Sequence, residues 1–162
     1  MQEAHIDHSE LDRLVENLTQ APQVLTEAKR KAFEAAAPKL QKIVQDEIGG
    51  SGRVRNWQEA YVGSGGGYAA ARPRAETYAE SRGLQTYPAP RKERPKPRYA
   101  VGYITNAITS GHGPPRNRAG YCSSGKRVAG KHFYQHAQDL AGAVAEETAE
   151  EIVQALIDHL EG

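Results

Sequence analysis

Between Phe133 and Leu160 one stripe of small and apolar residues returns every three or four positions. Phe133, Ala137, Leu140, Val144, Thr148, Ile152, Leu156 and Leu160 form it, and Ala141, Ala145, Ala149 and Ile157 widen it. That period belongs to one face of an α-helix, because a strand repeats every two residues. The spacing predicts a single helix of about 28 residues, roughly 40 Å at 1.5 Å per residue, longer than a small domain needs. A second striped stretch lies near the N-terminus. Leu11, Leu14, Val15 and Leu18 fall at i, i+3, i+4 and i+7, behind a capping-box-like Ser9 and Asp12. Ala21-Pro22 interrupts the run, with proline suited to the first turn of a new helix. Val24, Leu25, Ala28, Ala32, Ala36, Leu40, Ile43, Val44 and Ile48 carry the stripe on to Gly49-Gly50, a strong stop. Pro38 is expected to kink or split this helix, because proline lacks the N–H and crowds the preceding turn.

Charge is segregated along the chain. No residue between Arg94 and Gln138 is acidic, and that window holds Arg94, Lys96, Arg98, Arg116, Arg118, Lys126, Arg127 and Lys131. Asp139 to Gly162 holds seven carboxylates and no Lys or Arg. The formal net charge of +1 hides this division and offers no global argument for a nucleic-acid partner. Glu146, Glu147, Glu150 and Glu151 are expected opposite the apolar stripe. A solvated face is one reading of them. Four close carboxylates without a cation on their own helix also repel one another. A basic surface would relieve that, and the chain carries one in its middle, on itself or on a second copy.

The middle of the chain is poorer in apolar residues. Hydrophobic content is 38%, and Gly and Pro together number 16 and 9 in 162 residues, so loops and short strands are expected there. One domain with a modest core fits the length. Arg53 to Glu59 suggests one helical turn around Trp57. Tyr61-Val62-Gly63-Ser64 and Tyr68-Ala69-Ala70-Ala71 flank three glycines and suggest a hairpin. Those glycines do not make a phosphate loop, since no Lys-Ser or Lys-Thr follows and no helix opens there. Arg72 to Arg98 carries five prolines and reads as an extended arm, either solvated or docked on a neighbouring subunit. Tyr99 to Tyr103 alternates as a short strand, and Ile104 to Ser110 as a turn or helix before Gly111-His112-Gly113-Pro114-Pro115. Tyr61, Val62, Tyr99, Val101 and Tyr103 are then the expected sheet, covered by Phe133, Leu140, Val144, Ile152 and Leu156.

Chemistry finds little purchase in this pattern. His112, Cys122, His132 and His136 can be drawn as a zinc site, but the spacing fits no compact finger and no second CxxC or HxxxH supports it. Cys122 has no orienting acid near it in sequence, as a nucleophile would need. No catalytic, cofactor or metal residue is assigned, and the expectation is a non-enzymatic protein without cofactor. A single cysteine fits a reducing compartment. No apolar run approaches the roughly 20 residues that cross a bilayer, and the polar start, MQEAHIDHSELDRL, is not a signal peptide. Basic residues interleaved with Tyr99, Tyr103, Tyr121, Phe133 and Tyr134 leave a single-strand or phosphate contact open. The tyrosines at 99 and 103 also read as strand core.

The order of motifs adds to this. A leucine-striped helix leads into an Ala-rich helix ending in glycine. GRVRNWQEAYVGSGGGYAA follows, then RYAVGYITNAITSGHG, then VAGKHFYQHA opening the last helix. This order resembles the minor-tail or tail-completion family of the neck of long-tailed bacteriophages. Thr109-Ser110-Gly111-His112 and His132-Phe133 look like the family's turn and its start of the C-terminal helix, with Lys131-His132 where proline is common. The resemblance implies an α+β fold, N-terminal helices and a long C-terminal helix on a small antiparallel sheet with long loops. It implies a structural virion protein at the head–tail junction, made in the host cytoplasm. Such a protein would form a ring, six-fold from tail symmetry, meeting other neck or tail proteins and passing genomic DNA. The expected contact residues are Arg94, Lys96, Arg98, Arg116, Arg118, Lys126 and Arg127 on one side. Glu146, Glu147, Glu150 and Glu151 stand on the other. A small nucleic-acid-binding protein using residues 94–131 is the alternative.

Overall fold

The computed structural model describes residues 9–50, 52–80, 98–113 and 127–161. The fold is α+β. A 40-residue helix, α1 (Ser9–Ile48), runs its length, about 60 Å. A single turn, α2 (Arg53–Asn56), leads into strands β1 (Gln58–Val62) and β2 (Ala69–Pro73). Strands β3 (Tyr78–Glu80) and β4 (Arg98–Ala100) come next, then helix α3 (Val101–Ser110). Strands β5 (Gly111–His112) and β6 (Val128–Ala129) precede helices α4 (Phe133–Leu140) and α5 (Gly142–Glu161).

Both prolines lie inside α1, which neither ends nor splits at Pro22 or Pro38. The expected break fails for a local reason. The carbonyls that lose their donors belong to Leu18 and Glu34, both on exposed positions where water can replace the bond. Packing on both sides of Pro38 then holds the helix. Ala36 and Ala37 are buried, and Gln41 Nε2 donates to Gln58 O at 2.8 Å.

The hairpin is where the glycines suggested. β1 and β2 pair antiparallel from Gln58↔Pro73 to Val62↔Ala69, closed by Gly63 N–H to Tyr68 O at 3.0 Å. It lies along α1, and α4 and α5 lie along another side of the same helix. The single sheet expected from Tyr61, Val62, Tyr99, Val101 and Tyr103 is not formed. Among the described residues three separate two-stranded antiparallel ribbons stand instead. Val101 and Tyr103 belong to α3, because Val101, Ile104, Thr105 and Ile108 keep helical spacing and bury Val101 and Thr105 completely. The ends of the arm are also ordered: β3 pairs β4 with Tyr78↔Ala100 and Glu80↔Arg98. Residues 81–97 of it lie outside the described residues.

The long C-terminal helix is two helices. Ala141 N–H reaches Gln138 O at 3.2 Å, an i→i+3 bond that tightens the turn before α5 begins. The stripe covers α1 rather than a sheet. Phe133 and Ala137 close on Val44, with Ile43, Ile48, Val54, Ala71, Ile108 and Tyr134 around them. Leu140, expected in that layer, is 57% exposed.

One buried polar cluster joins the hairpin to α4. Gln58 is fully buried; its Nε2 donates to Val54 O at 3.0 Å, and its Oε1 accepts from the Tyr134 hydroxyl at 2.6 Å. Burial pushes the Tyr134 phenol up to about 12, although the hydrogen bond to Gln58 works the other way. A raised phenol value means the unfolded chain ionises first. The associated stability is complete below pH 10 and is lost as pH rises from 10 towards 12. Tyr134→Phe strands the Gln58 oxygen and is expected to cost about 1–3 kcal/mol at neutral pH. It also makes the loss of stability between pH 10 and pH 12 shallower; urea unfolding at both pH values measures it.

Candidate interaction surfaces

The basic end is built by stitching α3 to α4. The last carbonyls of α3 need donors from outside the helix. Lys131 N–H donates to Ile108 O and His132 N–H to Thr109 O, each at 3.0 Å. β5 and β6 add the pairs Gly111↔Ala129 and His112↔Val128. The backbones come so close that a Cβ on Gly130 would run into Thr109 O and the Ser110 carbonyl carbon. Gly111 has φ 76°, and a side chain there would meet Val128 O and Gly130 N. His132 itself takes the left-handed conformation, φ 51°, before α4. The two motifs Thr109–His112 and His132-Phe133, about twenty residues apart in the chain, are therefore neighbours in space.

This stitch presents Arg127 and Lys131, both exposed, beside the exposed Val128. Arg98 is in β4, with only its backbone described. Arg94, Lys96, Arg116, Arg118 and Lys126 lie outside the described residues, as does Cys122. Sequence reasoning missed Arg53 and Arg74, which are exposed at the same end of α1 because α2 and the close of β2 put them there. Two acids of this end are paired, while Glu76 beside Arg74 is exposed. Asp46 meets Lys42 at 2.6 Å and Arg55 at 3.1 Å, and the Lys42 hydrogen bond holds its carboxyl below the ordinary range. Glu59 accepts from Arg72 Nε at 3.2 Å, and the Arg72 guanidinium also covers the Tyr61 ring.

The acidic row is on α5. Glu147 meets Lys39 of α1 at 2.7 Å, so α1 supplies a cation to this row. Glu146, Glu150 and Glu151 are exposed. Towards the far end α5 runs antiparallel to the start of α1. Arg13 Nη2 donates to Glu161 O at 3.1 Å and His159 Nε2 to Asn17 O at 3.1 Å.

Between α1, β2 and α5 lies an apolar groove of about 350 Å³, lined by Phe33, Leu40, Ala69, Val144, Ala145 and Ile152 among others. Its one hydroxyl, on Thr148, is already bonded to Val144 O at 2.6 Å. The groove therefore lacks the convergent polar groups that orient a small ligand. Among the described residues no three His, Cys, Asp or Glu side chains are placed to hold a metal ion. His136 Nδ1 lies 3.7 Å from Glu47, while the His112 Nδ1 contact is to Gly113 O. No helix among the described residues is long and apolar enough to cross a membrane.

Comparison with protein-family models, with curated proteins and with solved structures found no match. Gly130→Ala is expected to cost roughly 1–3 kcal/mol, since backbone must move to admit the methyl group. Thermal unfolding against Gly113→Ala, a site with open space, gives the comparison.

Proposed function

We propose that this chain is a self-assembling structural subunit of the neck of a long-tailed phage, acting at the head–tail junction without catalysing a reaction. The observation that carries the reading is the separation of its exposed charge. Exposed carboxylates gather on α5 and at the start of α1, Arg127 and Lys131 stand exposed at the stitch between α3 and α4, and the middle of α1 carries exposed charge of both signs at Glu27, Lys29, Arg30, Lys31 and Glu34. A surface of that kind suits contact between proteins more than small-molecule chemistry, and the apolar groove offers no polar constellation to set against it. The order of motifs that resembles the tail-completion family points to the same class. Assembly as a closed ring, with other neck or tail proteins above and below it, follows from that resemblance.

A second reading is favoured by Arg127 and Lys131, exposed and without an acidic partner among the described residues. These cations, with the others of residues 94–131, would hold nucleic acid through its phosphates. Binding to DNA by the isolated protein, falling steeply between low and moderate salt, would favour this reading.

The neck reading expects the purified protein to form discrete rings, seen by light scattering and negative-stain images, that loosen as salt rises. A strict monomer at every concentration reached overturns it. Reversing Glu146, Glu150 and Glu151 to Lys, with Glu147 left on Lys39, is expected to abolish assembly while the circular dichroism spectrum stays that of the wild type.

A further inference from the structure

The two ends of the molecule match each other in a second property besides charge. At the start of α1, Leu11, Leu14, Val15 and Leu18 are each about half exposed, and Val153 and Ile157 on α5 join them. These side chains extend the groove. Leu11, Leu18 and Leu25 are seven apart on α1, and Ala36 of the groove wall lies eleven residues on, three turns of the same face. On α5, Ala149 of the groove wall, Val153 and Ile157 succeed one another at i+4. The bare patch is on the order of 500 Å², the upper range for a monomer, and with the groove it approaches the roughly 800 Å² per partner of a standard interface. At the tip its rim is acidic: Glu10, Asp12, Glu16, Asp158 and Glu161 are exposed beside Arg13, while Lys29, Arg30 and Lys31 are exposed further along α1, near the level of Glu150 and Glu151. Roughly 45 Å away along α1, the other end exposes Tyr78, Tyr103 and Val128 among Arg74, Arg127 and Lys131.

Two copies laid tip to tip would set one acidic rim against another. The segments outside the described residues are poor candidates to cover six apolar side chains, since residues 81–97 and 114–126 contain one Leu and no Ile, Val or Phe, and residues 1–8 add only Met1 and Ile6 among larger apolar side chains. We infer that the acidic apolar tip of α1 and α5 docks on the basic apolar end, around Tyr103, Val128, Arg127 and Lys131, of a second copy of this chain. This deepens the neck reading and rests on it. The contact is heterologous: each copy uses both surfaces, so it closes into a ring or runs on as a filament.

Two double variants test it. Leu14→Glu with Leu18→Glu spoils the tip, and Arg127→Glu with Lys131→Glu spoils the basic end. All four positions are exposed, and unchanged circular dichroism confirms that each variant folds. In sedimentation velocity at low salt, each variant alone is expected to be monomeric. Their equimolar mixture is expected to form a species of twice the chain mass, because one intact tip then meets one intact basic end. Assembly of either variant by itself, or a mixture that stays monomeric, overturns the pairing. If the wild type forms rings in those same runs while a variant still assembles alone or the mixture stays monomeric, the neck reading stands and this pairing fails.

Discussion

The middle of α1 is buried from two directions. Ala32, Ala36, Ala37 and Val44 are almost inaccessible, with the hairpin on one side and the C-terminal helices on another. Alanines let both neighbours approach the helix closely, and little else could be accommodated between them. Larger side chains return where room returns. Ile43, Val44 and Ile48 meet Phe133 and Ala137, and Gln58 with Tyr134 ties the hairpin to the same place. The continuity of α1 through Pro38 depends on this clasp. A lone helix of this sequence would lose more at Pro38 than it could recover from propensity.

The same arrangement makes the molecule polar along its length. The clasp occupies the second half of α1, and the loops and short strands that hang from it bring Arg53, Arg74, Arg127 and Lys131 to that end. The first half of α1 has α5 beside it and little more. Two helices side by side cannot bury their apolar faces completely, so Leu11, Leu14, Val15 and Leu18 remain half bare. Exposed leucines on a well-formed helix then become a property of the fold. They are what remains when a two-layer structure is longer than its second layer.

Much of this was legible in the chain. The two striped helices, the glycine-closed hairpin, a helical turn near Trp57 (expected over Arg53 to Glu59 and found over Arg53–Asn56) and the acidic character of α5 all follow from local pattern, because period and turn chemistry act over a few residues. The failures were also physical. Tyr99, Val101 and Tyr103 alternate like a strand, while Val101, Ile104, Thr105 and Ile108 repeat like a helix; burial of Val101 and Thr105 chose the helix after Ala100. Leu140 fits the stripe in sequence and is 57% exposed, as the last residue of α4 before the tight turn at Ala141. Of the site residues, Glu147 met a cation on α1 that no local pattern could pair with it, and Arg53 and Arg74 join the basic end through tertiary folding alone.

The sequence by itself determined the two long striped helical stretches, the glycine-closed hairpin and where charge of each sign is concentrated along the chain. Only the tertiary structure decided which faces of the helices are used up and which stay bare. It set α5 antiparallel to α1 through contacts such as His159 with Asn17 and Lys39 with Glu147, more than one hundred residues apart in the chain. The reason is that a periodic stripe states that a face is apolar without stating what covers it. The cover depends on the lengths of the neighbouring elements, and those come together only in the folded chain.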